Sequence, residues 1–99
     1  MGKIANVLQE RGELDEALRI HREEELPVYE RLGSVHERAV TMSRVAGILH
    51  LQGKLDEALR VQREEVLPVY ERLGLQRDVV VTQANIATIL PAAAQAQSP

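Results

Sequence analysis

The chain has 99 residues, no Cys, no Trp, no Phe and two Tyr, with 44% of residues apolar, 27% charged and a formal net charge of −3. That length suits one small domain, and the apolar share is too high for a disordered chain. The absence of Cys excludes disulfides, thiolate nucleophiles and Cys-type zinc sites, and it fits a reducing compartment, read here as the cytoplasm.

Self-comparison exposes a repeat. A shift of 41 positions lays GELDEALRIHREEELPVYERLG (Gly12 to Gly33) on GKLDEALRVQREEVLPVYERLG (Gly53 to Gly74), with 18 of 22 positions identical. The same shift aligns Ile4-Ala5 with Val45-Ala46 and Ile86-Ala87, and Val7-Leu8 with Ile48-Leu49 and Ile89-Leu90. The chain therefore reads as a repeat domain over 1–90, with units at 1–41 and 42–82 and a partial third unit at 83–90, followed by a flexible tail at 91–99.

In chain order, the steps of three and four at Ile4, Val7 and Leu8 predict a first helix A. Gly12 is placed to turn the chain. A helix B follows from about Asp15 to Leu32, about 27 Å at 1.5 Å per residue. Leu14, Ala17, Leu18, His21, Glu25, Val28 and Tyr29 share one side of it, and Gly33 stops it. The second unit repeats this plan, with Gly53 as its turn and Gly74 as its stop. Pro27 and Pro68 fall inside the B helices, where a proline removes one backbone hydrogen bond and presses on the carbonyl four residues back. Val28, Tyr29 and Leu32 stay in phase with Leu18, which predicts a kink rather than a break. A third helix A covers 79–89 despite its β-branched run, and Pro91 ends it. The expectation is an all-α fold of five helices and no strand.

A small residue in helix A, then Gly, then Glu-Ala-Leu opening helix B resembles the tetratricopeptide repeat. Ala5, Leu8, Gly12 and Ala17, with Ala46, Leu49, Gly53 and Ala58, stand at its small and large signature positions. The longer unit, with His36 soon after Leu32-Gly33, is similar to the kinesin-light-chain variety. Where that family has an aromatic on helix B this chain has His21 and Gln62, and in place of its second helix-B Ala stand Glu24 and Glu65.

The resemblance implies a right-handed superhelical stack without catalytic activity of its own, whose inner groove, lined by A helices, holds a peptide or a partner's helix. Carried over position by position, the groove residues are Asn6, Gln9, Glu10, Ser43, Gly47, His50, Leu51, Asn85 and Thr88. The family's carboxylate clamp uses Lys and Asn. Asn6 and Asn85 suit it, but Ser43 stands where the Lys is wanted.

Other chemistry finds little support. Ser34, Ser43, Ser98, Thr41, Thr82 and Thr88 lack a Gly-flanked elbow and a group to orient a His base, and there is no Gly-rich phosphate loop. No catalytic residue, metal site or cofactor is therefore expected. His21 with Glu24 or Glu25 has a two-ligand spacing without a third ligand in sequence. Arg residues are interleaved with acids, which speaks against nucleic acid, and no apolar run is long enough to cross a membrane. Asp15–Arg19–Glu23 and Asp56–Arg60–Glu64 have the spacing of helical ion pairs. Tyr29 and Tyr70 hold identical repeat positions and read as core packing.

Two and a fraction repeats leave both ends of the stack uncovered, where about three repeats are expected for stability. The third helix A carries Val79, Val80, Ile86, Ile89 and Leu90 with no helix B after it. These five residues are therefore expected to mediate self-association, with a two-fold dimer as the default. The function expected is a protein or peptide interaction module. The alternative is a structural piece of a longer array, natural or idealised, whose main contact is with its own copies.

Overall fold

Gly33, Gly53 and Gly74 adopt left-handed φ angles of 68°, 80° and 70°, and a helix ends at each. The residue after each glycine closes the turn. Ser34 N–H donates to the Tyr29 carbonyl at 2.9 Å, Lys54 N–H to Leu49 at 2.8 Å, and Leu75 N–H to Tyr70 at 3.1 Å. The computed structural model describes the backbone of residues 3–97 and the side chains of residues 12–90. Its elements are α1 (Lys3–Ile20), a first π-helical segment (His21–Glu25), α2 (Leu26–Leu32), α3 (Val35–Leu51), α4 (Leu55–Val61), a second π-helical segment (Gln62–Val66), α5 (Leu67–Leu73) and α6 (Gln76–Gln97). Among the described residues no strand occurs.

Among the described residues the rods number four, not five, because the turn expected at Gly12 is absent. α1 continues through Gly12, whose φ is not left-handed. A glycine inside a helix costs only about 1 kcal/mol, and Gln9, Glu10, Arg11, Glu13 and Leu14 around it are all good helix formers. The counterpart turn at Gly53 is held by the packing of α3 on α4, where Ala46, Leu49 and Ala58 are all fully buried.

Pro27 and Pro68 are absorbed without a break. Leu26 N–H donates to the His21 carbonyl and Leu67 N–H to the Gln62 carbonyl, five residues back rather than four. In α register each proline ring would press on the carbonyl of Glu23 or Glu64. The wider π turn just before the ring moves that carbonyl away, and Ile20 and Leu26 on either side keep right-handed helical angles. The kink thus takes the form of a π turn at the same place in both units.

The end expected at Pro91 is also corrected. α6 runs on to Gln97, so the backbone of 91–97 is helical rather than a tail without structure. Ala92, Ala93, Ala94 and Ala96 supply the highest helix propensity available.

α3 is the centre of the fold. Ala39, Met42, Val45, Ala46, Ile48 and Leu49 bury both of its sides, with Leu18 and Leu26 contributing from the first rod and Ala58, Val61, Val66, Val69 and Tyr70 from the third. α6 then packs on α4, the second π segment and α5. Gln62, at the family's aromatic position, is only 3% exposed, and its Oε1 has no hydrogen-bond partner.

Candidate partner-binding surface

Ser43, Gly47, His50 and Leu51 fall on one side of α3, four, three and one residues apart, and the core leaves that side accessible. Gly47 and Leu51 are exposed, Leu51 by 74%, and Ser43 and His50 are half-buried. On α6, Asn85 and Thr88 are exposed, and the Thr88 hydroxyl donates to the Ala84 carbonyl at 3.0 Å. The side chains of Asn6, Gln9 and Glu10 lie outside the described residues.

The structure gathers Leu51 with Leu14, Asp15, Gln52 and Lys54 around a cleft of about 410 Å³. Gln52 Nε2 donates to Asp15 Oδ1 at 2.6 Å and fastens the end of α3 to α1. This cleft is not readable from spacing, since Asp15 and Gln52 are far apart in the chain. Asp15 does not pair with Arg19 as the helical spacing suggests. Arg19 instead meets Glu16 at 2.6 Å, Glu24 at 3.1 Å and Glu23 at 3.3 Å. Its guanidinium holds the Glu16 carboxyl below its ordinary value, and the carboxylates raise Arg19 in turn. Arg22 reaches Glu57 at 3.0 Å across neighbouring rods, and Arg38 lies between Glu30 at 3.5 Å and Glu65 at 3.8 Å. The Arg19 pairs are exposed to water, which screens them, whereas Arg38 and Glu65 are about two-thirds covered.

Tyr70 is buried in the core as expected, with the His36 ring tilted beside it at 6.2 Å, whereas Tyr29 is half-buried. Burial pushes the Tyr70 phenol above its ordinary value, and the Asp78 carboxylate pushes the same way against Arg44. His21 pairs with Glu25 through Nδ1. Among the described residues no three His, Asp or Glu side chains gather as metal ligands, and no helix is long and apolar enough to cross a membrane.

The five residues expected to drive self-association divide between two sides of α6. Ile86 and Ile89 are buried and Val79 is half-buried against the chain's own core, while Val80 is 60% and Leu90 37% exposed. The split follows the helical repeat. Val79, Thr82, Ile86 and Ile89 face the third rod, and Val80, Gln83, Ala87 and Leu90 face outward. Forty-one residues earlier, Ala39, Met42, Ala46 and Leu49 are buried, because α4 and α5 cover them.

The first rod carries the converse vacancy. Ala17, Ile20, His21 and Glu25 are half-buried, while Ala58, Val61, Gln62 and Val66, their counterparts, are 0–3% exposed beneath α3. Since α1 is unbroken, no separate helix A lies on that side among the described residues.

Residues 1–23 match a family model described as the tetratricopeptide repeat, which takes in Ala5, Leu8, Gly12 and Ala17. Neither the curated proteins nor the solved structures contain a match to the chain. Over residues 1–23 the chain is similar to the tetratricopeptide repeat, and the helical pairs of the fold, with π turns and glycine ends placed alike in both units, are consistent with a helical repeat.

Proposed function

We propose that the chain is a non-enzymatic protein–protein interaction module of the cytoplasm, which offers its helix-A side as a groove and associates with its own copies through its terminal helices. The observation that supports the groove is the accessibility of Ser43, Gly47, His50 and Leu51 along one side of α3, with a 74% exposed leucine at its end. An exposed leucine beside a cleft is a place where a partner's apolar side chain gains free energy, roughly 25 cal/mol per Å² covered. Asn85 and Thr88 on α6 extend the polar lining, and Asn6, Gln9 and Glu10 hold the equivalent register in the first unit.

The test is retention of a labelled random-sequence peptide pool by the immobilised chain. The wild type retains a subset, and Leu51→Glu, which leaves the core intact, lowers retention several-fold. A chain that retains no peptide at any concentration contradicts the groove. A second reading, an assembly piece whose main contact is with its own copies, is favoured by the exposure of Val80, Val81 and Leu90.

A further inference from the structure

The two open faces of the fold are the two halves of one contact that the molecule already makes internally. In the second unit α3 lies on α4 and the second π segment, with the stripe Ala39, Met42, Ala46 and Leu49 buried on one side and Ala58, Val61, Gln62 and Val66 on the other. The first stripe recurs 41 residues later on α6 as Val80, Gln83, Ala87 and Leu90, all exposed. The second stands 41 residues earlier on the first rod, where Ala17, Ile20, His21 and Glu25 are half-buried rather than fully buried. We propose that copies of this chain stack head to tail, the outer side of α6 of one copy lying on the open side of α1 and the first π segment of the next. This rests on the self-association reading above and specifies its surfaces.

Three observations favour a second copy as the occupant. The exposed α6 stripe keeps Val80, Ala87 and Leu90, and the open side of the first rod keeps Ala17 and Ile20, so both halves retain the small-against-large pattern of the internal contact. The polar replacements match as well. In the antiparallel pair around Gly53, Met42 and Val66 stand at nearly the same level, and their counterparts are Gln83 and Glu25. A side-chain amide thus meets the acid that pairs with His21, where two apolar residues meet inside the molecule. Finally, α1 continues unbroken through Gly12 and α6 continues to Gln97, so neither helix turns back at the level of Gln52–Lys54 and neither blocks the incoming rod.

A head-to-tail contact between two different faces leaves one face of each kind free after every addition, so the stack grows until it closes as a ring or free copies run out. The experiment is light scattering of the full chain over a dilution series, for the wild type, Ala87→Glu, Ile20→Glu and an equimolar mixture of the two variants. Circular dichroism checks that helix content is kept. The wild-type mass is expected to rise past the dimer with concentration, and each variant alone to stay monomeric. The mixture, in which one intact α6 face meets one intact first-rod face, is expected to stop at a heterodimer. A dimer that survives Ile20→Glu but not Ala87→Glu overturns the proposal in favour of a two-fold α6 contact. Survival of Ala87→Glu but not Ile20→Glu overturns it in favour of exchange of the first helix A. Association that survives both variants, or a mixture that stays monomeric, also overturns it. A wild type that is monomeric throughout overturns the self-association reading itself and leaves the peptide groove standing.

Discussion

Leu49→Ala is expected to lower stability by about 2–5 kcal/mol, whereas Leu90→Ala, at the same repeat position, is expected to cost well under 1 kcal/mol in the monomer. The two leucines are equivalent in sequence and unequal in surroundings. Leu49 is fully buried with Ala46 and Ala58, and its carbonyl accepts the Lys54 N–H that closes the turn. Truncating it leaves a cavity in a helix packed against the rods on both of its sides. Leu90 is 37% exposed on the outer side of α6, so its truncation removes contact area without opening a void. For a domain with about 5–15 kcal/mol in total, the first loss is a large share. Urea unfolding followed by circular dichroism, at concentrations low enough to suppress association, measures both. Equal losses at the two positions would mean that α6 is covered within the molecule as α3 is.

Deletion of Glu64 is expected to cost about 3 kcal/mol, and addition of Pro68→Ala to the deletion to restore most of it. The exposed Glu64 lies in the second π segment. Its loss shortens the step from Val61 to Val66 from five residues to four, an α-helical spacing, so Val66, Val69 and Tyr70 still face the core. What the deletion removes is the wide turn that keeps a carbonyl away from the Pro68 ring. Once the ring is replaced by alanine, an ordinary helix satisfies every backbone group. Thermal unfolding reads the effect as a drop in Tm on the order of 15 °C for the deletion alone. A double variant no more stable than the deletion would assign the π turn to some cause other than the proline.

The repeat made much of this fold legible. Gly33 and Gly74 end their helices because glycine, lacking a Cβ, takes a φ near 70° at the least cost, and the Leu-Gly at each unit's end marks this in the sequence. The burial of Ala46, Leu49 and Ala58 likewise follows from the three-and-four spacing. Less legible was the difference between equal positions. Gly12 and Gly53 are the same letter in the same register, but one is inside a helix and the other turns the chain, because only the second has a packed helix pair to hold it. Ile86 and Leu90 sit on one apolar helix, and only a view of which rods surround α6 separates core from open surface. The cleft at Leu51 required Asp15 and Gln52 to meet across rods, a juxtaposition that no local pattern carries. The choice between α and π register is set by the proline ring against a carbonyl, which periodicity alone reads as a kink.

The unbroken α1 is what leaves the first rod open, and one distance measures it. The chain has no Cys, so Lys3→Cys with Arg19→Cys admits two spin labels at defined sites. A continuous helix places the labelled backbone positions about 24 Å apart. A turn at Gly12 that folds helix A onto helix B brings them to about 10 Å, the spacing of packed helices. A distance distribution centred near the longer value is the predicted result, and one centred near the shorter value within a single molecule would contradict the account.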